Sequence, residues 1–347
     1  MLLFKTNLYY VLLLLLLSCS SSSSVITSSL PQNNPYLTST TLFLQNYHKM
    51  FQNFKIFIYN TNTNQFNFET EQESMFYSSL QNSSYLTQQP QQAHLFFLPF
   101  SSNISTRSLA RLVSRIRKEF PYWNRSLGAD HFYLSCAGIS NSNDRNIVEL
   151  KKNAVQITCF PTRCHSFVPH KDITLPPVIN VHAPFKNLHA PVKLGGGGEF
   201  CVVEYGNSEV LWIGEAMRLG CVPVVVTEGT MNDMPFMDVL KWKEMAVFVK
   251  SDVKNVTWRE RHQNMRRLGV VARKHLRWNR PSLPFDAFNT VMFQLWLRRH
   301  TICFWCYIFK EITFRLTKGV EMHMYQKMQS NYCTYCCMQL YTLNIRR

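Results

Sequence analysis

Residues 194–226 read "LGGGGEFCVVEYGNSEVLWIGEAMRLGCVPVVV". Four glycines run into an apolar segment, which raises the question of a phosphate-binding loop. Such a loop follows a strand and opens a helix, so that backbone N–H groups point at the anion. Here the glycines precede the strand-like "EFCVVEY" (199–205), and neither a Gly-Lys-Ser/Thr ending nor G-x-G-x-x-G spacing is present. The run is therefore a joint or a hinge. Beyond the glycines the chain reads strand, helix, strand. Ser208 caps "SEVLWIGEAMRLG" (208–220), Gly220 stops it, and "CVPVVVT" (221–227) is apolar on both faces, as a strand inside a parallel sheet requires.

The same grammar runs upstream. "FKIFIYN" (54–60), "AHLFFLPF" (93–100), "DHFYLSC" (130–136) and "AVQITCF" (154–160) read as strands. "ESMFYSSLQNS" (73–83) is helix-like. "STRSLARLVSRIRKEFPYW" (105–123) puts Leu109, Leu112, Val113 and Ile116 on one stripe, with Ser105 as cap and Pro121 as stop. Downstream, "PFMDVLKWKEMAVFV" (235–249) predicts a short helix and a strand. "WRERHQNMRRLGVVARKHLRW" (258–278) predicts a long basic helix, and "FDAFNTVMFQLWLRRH" (285–300) a final one. Alternating strands and helices specify an α/β fold with parallel sheets.

Length and composition bound the rest. The 347 residues allow two domains, and 46% hydrophobic with 14% aromatic content excludes a disordered chain. A net charge of +16 favours an anionic partner. The cations are scattered, and no nucleic-acid module accompanies them, so nucleic acid is not expected. Lys5 precedes the apolar run Leu8 to Leu17, followed by a serine tract. The run is short against the roughly 20 apolar residues of a membrane span. Residues 1–20 are thus a signal anchor or a cleaved signal peptide, either of which sends the chain into the secretory lumen. Residues 21–50 read as a Ser/Thr/Asn-rich stem with no core of its own. Sequons at Asn82, Asn103, Asn124 and Asn255 fit lumenal N-glycosylation. Among the body cysteines, Cys159 and Cys164 make a short loop pair, whereas Cys201 and Cys221 sit in apolar runs as buried thiols would.

Six stretches, "KIFIY", "AHLFFLPFSSN", "FPYWNRSLGADHFYL", "GEAMRLGCVPVVV", "MPFMDVLKWKEMAVFV" and "FDAFNTVMFQLWLRR", occur in this order between residues 54 and 299. In this combination the chain resembles the exostosin-like glycosyltransferases, in their plant cell-wall branch. The resemblance implies two Rossmann-like domains facing a cleft, the GT-B arrangement. Residues 51–181 would be the acceptor-side domain and 199–300 the nucleotide-sugar domain. It implies an inverting, metal-independent transferase without a cofactor, anchored in the Golgi as a type II membrane protein. The donor would be a nucleotide-sugar linked to uridine diphosphate, the acceptor a cell-wall polysaccharide, and other glycosyltransferases its associates. A secreted form is the alternative location.

The resemblance also implies roles. Glu215, with Ser208 and Arg218 nearby, would bind the donor, Glu215 through the ribose diol. Asp130 or His131 would orient or deprotonate the acceptor hydroxyl, or else pin the loop to "PYWNR" by hydrogen bonds. Tyr122 and Trp123 would stack on a sugar or pack in the core. Two departures stand out. A Ser-Pro-Arg-like triplet expected before the helix is Val210-Leu211-Trp212 here, which removes a cation suited to diphosphate. The joint, residues 182–198, is also too short for a further strand–helix–strand unit, which takes roughly 30 residues. The second domain is thus expected to be incomplete, and the alternative function is a non-catalytic glycan- or partner-binding relative. Residues 301–347 form an atypical Cys-rich tail. Its Cys303-x2-Cys306 and Cys333-x2-Cys336 pairs superficially resemble a zinc site but are too far apart for one, so no metal is expected.

Overall fold

Five short apolar strands of the first half assemble in chain order into one parallel sheet, β1 (Ile56–Ile58), β2 (Leu95–Leu98), β3 (His131–Leu134), β4 (Val155–Cys159) and β5 (Ile173–Leu175). The computed structural model describes residues 34–61, 66–162, 167–178, 192–193, 199–205, 213–229, 231–250 and 259–299. The sheet is buried on both faces because its strands alternate large apolar side chains. Phe97, Phe132, Leu134 and Ile157 feed one core, while Phe96, Leu98 and Tyr133 feed the other. Helices α1 (Thr40–Asn53) and α2 (Glu71–Gln81) cover the first face through Phe43, Tyr47, Met50, Phe76 and Leu80. Helix α3 (Thr106–Glu119) covers the second with Leu109, Val113 and Ile116, and Ser105 caps it by accepting from Ser108 N at 3.2 Å. A one-turn helix α4 (Tyr122–Ser126) and α5 (Arg145–Asn153) complete that layer.

The second sheet orders β6 (Val192–Lys193), β7 (Glu199–Glu204), β8 (Val222–Val226) and β9 (Val247–Val249). Strands β7 to β9 run parallel, whereas β6 pairs antiparallel to β7. The end of the expected joint is therefore already part of this sheet. Between β7 and β8 lies α6 (Ile213–Arg218), packed closely on α7 (Arg259–Ala272). A Cβ on Gly214 would stand 3.2 Å from Leu276, and one on Gly269 3.3 Å from Met217. The long basic helix stops at Ala272 and tightens into a 3-10 turn, Arg273–Leu276. The helix expected after Pro235 is instead a series of turns with a 3-10 segment at Trp242–Glu244. The leader, the glycine run, the segment 206–212 and the tail with its five cysteines lie outside the described residues. Among the described residues no helix is long and apolar enough to cross a membrane.

Two expectations about boundaries are corrected. Residues 34–50 are not a stem. Ser39 caps α1 through Leu42 N, and the i, i+4, i+7 stripe of Phe43, Tyr47 and Met50 is buried. Ahead of α1, Tyr36 bridges Leu240, and Lys241 N donates to Pro35 O at 2.8 Å, so the arm lies against the second half. Conversely, residues 278–299 return to the first half. The closing helix α8 (residues 287–299) packs Phe288 against Phe76 and Trp296 against Phe54. Its Arg298 donates to Lys171 O and Asp172 O at 2.8 Å each. Trp278 Nε1 reaches Pro176 O at 2.9 Å, and Tyr85 donates to Asn289 Oδ1 at 2.8 Å.

The arm and the returning segment meet at His275, which is fully buried. It contacts the Tyr36 hydroxyl at 3.2 Å through Nε2 and Thr290 Oγ1 at 2.9 Å through Nδ1, with Phe43 and Phe285 edge-on to its ring. Burial, reinforced by the Lys274 charge and opposed by a hydrogen bond at Phe285, holds its pKa down to about 3. The unfolded value is about 6.5, so the folded state keeps the neutral ring while the unfolded state takes up a proton. Stability from this residue is complete above the unfolded value and falls as pH drops toward about 3. Urea midpoints measured from neutral to acid pH should decline through this window, and His275→Gln should flatten the decline.

The cysteines also differ from expectation. Cys159 pairs with Cys136, not with Cys164, and Cys201 pairs with Cys221 instead of remaining a thiol. Parallel neighbours bring each pair together: β3 lies beside β4, and β7 beside β8. The bridges close sequence separations of 23 and 20 residues. Replacing Cys201 and Cys221 together by serine should cost about 3 kcal/mol, read as a shift in the denaturation midpoint.

Candidate functional site

The "PYWNRSLGADHF" segment builds a buried network at the start of β3. Leu127 and Gly128 both take left-handed backbone, and a Cβ on Gly128 would stand 2.8 Å from the Trp123 ring. Only glycine lets the chain turn this tightly over that indole. The turn places Asp130 beneath Arg125, whose Nε and second terminal nitrogen donate to Oδ2 at 2.8 and 2.7 Å. Ser126 and His131 Nδ1 face Oδ1, the latter at 2.7 Å. On the far side His131 Nε2 lies 2.8 Å from the Tyr59 hydroxyl. Burial raises the Tyr59 pKa, helped by the Asp130 charge, so Tyr59 keeps its proton.

Burial alone would raise the Asp130 pKa, but His131, Arg125 and the hydrogen bonds from His131 and Ser126 outweigh it and hold the carboxyl well below the usual range. His131 is completely buried, sandwiched with Tyr59, Phe96 and Trp123, and both ring nitrogens are engaged. Both ring nitrogens are thus taken up by side chains of the protein, and the hydrogen bonds of Asp130 run to Arg125 and Ser126 of the preceding turn. Tyr122 and Trp123 are likewise core residues. They have no exposed face for a sugar.

The donor-side residues fare differently. Ser208 and Asn255 lie outside the described residues. Glu215 sits in the first turn of α6, largely buried, and pairs with Arg218 one turn on. Arg218 also accepts at its carbonyl from Arg273 at 3.0 Å. Asn82, Asn103 and Asn124 are all exposed.

Sequence reasoning missed the point where the carboxyl ends of both sheets converge. Thr162 follows β4, Tyr205 follows β7 and Asp233 follows β8. Asp233 Oδ2 accepts from Thr162 N at 2.8 Å, Thr162 Oγ1 at 2.9 Å and the Tyr205 hydroxyl at 2.7 Å. Burial and the Asp233 carboxylate raise the Tyr205 pKa, which keeps that donor protonated. Asp233 is only 4% exposed, yet its Oδ1 has no hydrogen-bond partner among the described residues. A buried carboxylate oxygen left without a donor is costly and calls for a partner. The signal in the sequence was weak, one acid in "MNDMPF" with no periodic context.

The exostosin GT47 domain matches residues 50–195. A probable glycosyltransferase of Arabidopsis thaliana is 25% identical, covering 76% of this chain and 66% of the relative. A second from the same plant is 25% identical over 65% of this chain and 63% of its own length. A probable beta-1,4-xylosyltransferase of Arabidopsis thaliana is 23% identical over 56% of this chain and 64% of its own. The chain thus spans just under two thirds of the length of these relatives. Because the folded Asp130 pKa lies below the unfolded value of about 3.9, its stabilisation is present above that value and lost as pH falls through the folded pKa. Asp130→Asn should therefore destabilise at neutral pH and weaken the acid dependence below about pH 4, as seen in denaturation midpoints. Residues 50–195 match the exostosin GT47 domain, and the chain is similar to plant glycosyltransferases.

Proposed function

We propose that the chain transfers a sugar, with inversion, from a uridine-diphosphate sugar to a cell-wall glycan. The observation that carries this reading is the half-satisfied Asp233 carboxylate at the meeting of the two sheets' carboxyl ends. In open α/β sheets, ligands bind outside the carboxyl ends of the strands. Thr162 and Tyr205 fix one oxygen of Asp233, while the other, buried, has no donor among the described residues.

In the reaction the acceptor hydroxyl oxygen forms a bond to the anomeric carbon as the bond from that carbon to the diphosphate breaks. Asp233 takes the hydroxyl proton, and the electron pair leaves with the diphosphate. Glu215, steadied by Arg218, accepts from the ribose hydroxyls. Its location after β7 parallels that of Asp233 after β8 on the same sheet. Two disulfides fit an oxidising lumen and thus the proposed Golgi location, with the exposed Asn82 and Asn124 of the sequons available for glycans.

A second reading, a non-catalytic relative, is favoured by one observation. Among the described residues the second sheet has three parallel strands against five in the first. Calorimetry with a panel of nucleoside diphosphates separates the two. The transferase reading expects saturable uridine diphosphate binding, weakened by Glu215→Ala. In a donor-sugar screen Asp233→Asn should lower transfer by about 10²–10⁴-fold while leaving diphosphate binding intact. A folded chain that binds no nucleoside diphosphate would establish the non-catalytic reading.

A further inference from the structure

Helix α3 presents a second feature at the carboxyl end of β2. A cavity of about 450 Å³ opens there, lined by Phe66, Phe100, Ile104, Leu112, Arg111 and Arg115 among others. Its volume lies within the range of small-ligand sites. Phe66, Phe100, Ile104 and Leu112 provide apolar surface, against which the C–H face of a pyranose ring can lie. Arg111 and Arg115 stand one turn apart, so their side chains share a helix face. Arg111 Nε donates to Arg107 O at 3.4 Å. Among the described residues, no carboxylate forms an ion pair with either guanidinium, and no acid lines the cavity.

Two arginines beside an apolar wall are selective. Guanidinium groups match carboxylate geometry bidentately. A bare phosphate would use the arginines but leave the apolar wall unused, and a neutral sugar would leave the cations unused. A ring that bears a carboxylate uses both.

We propose that this cavity binds a hexuronate unit of an acidic glycan. The inference rests on the reading of the chain as a glycan-handling protein and adds the acceptor's chemical class. Binding, not transfer, is the readout, so failure here leaves the transferase reading standing, and failed transfer leaves this one standing.

The test is calorimetric titration of the full chain with a short oligogalacturonate, with its carboxyl-reduced form and with uridine diphosphate. The double variant Arg111→Ala/Arg115→Ala is compared with Lys49→Ala/Lys152→Ala. The second pair removes the same charge from exposed positions away from the cavity, which controls for attraction by the net charge of +16. The expected result is saturable oligogalacturonate binding. The arginine variant should weaken it by about tenfold or more, and the lysine variant should leave it nearly unchanged. The reduced oligomer should bind at least as weakly. Arg111→Lys/Arg115→Lys should give an intermediate loss and guards against misfolding of the alanine variant. Equal binding of the reduced oligomer, or equal losses in the arginine and lysine variants, overturns the proposal. Uridine diphosphate binding that is lost in the arginine variant and retained in the lysine variant also overturns it, since the cavity would then be a phosphate site.

Discussion

The fold depends on an exchange of segments between the two halves. The arm at residues 34–37 lies on the second half, and α8 lies on the first. They cross where Tyr36, Phe43, Tyr47, Phe285 and Phe293 pack around His275. Neither sheet completes its core from its own contiguous sequence, and one apolar cluster runs from α1 through both sheets to Trp296. Burying a neutral imidazole at this crossing is tolerable because both nitrogens find hydroxyl partners. The convergence of Thr162, Tyr205 and Asp233 likewise joins the two halves, at the carboxyl ends of the sheets.

Two carboxylates illustrate how location decides role. Asp130 lies at the beginning of β3, the end of a parallel strand where ligands are not expected, and every direction around it is filled by donors of its own segment. It behaves as a staple for the tight turn over Trp123. Asp233 lies beyond the other end of its strand and is held through one oxygen only. The contrast is positional before it is electrostatic.

Much of this architecture was legible in the sequence. The apolar runs at 93–100, 130–136, 154–160 and 221–227 became β2, β3, β4 and β8 because a strand buried on both faces has no other composition available. Ser105 was readable as a cap because capping is local. Residues 34–50 were not readable. The polar residues of α1 dominate its composition, and the stripe of Phe43, Tyr47 and Met50 acquires meaning only from a partner more than 230 residues away, such as the Tyr47 hydroxyl that receives Phe285 N. Cysteine pairing was hidden for the same reason, since it depends on strand adjacency. Asp130 and His131 drew attention in the sequence as acid and imidazole at a strand start, but their burial and mutual hydrogen bond depend on the turn over Trp123, which composition does not show. Asp233 escaped because its neighbours come from two other strand ends.

The two disulfides occupy opposite margins of their sheets. Cys136–Cys159 ties the carboxyl margin of the first sheet, where Thr70 Oγ1 and Glu73 add hydrogen bonds around it. Cys201–Cys221 ties the amino margin of the second, beside Ala216. Covalent stiffness is therefore distributed unevenly around the crevice. One lip carries a covalent tie, while the lip that bears Tyr205 and Asp233 is held to Thr162 by hydrogen bonds alone. The covalent constraint at the carboxyl margin therefore belongs to the first sheet alone among the described disulfides.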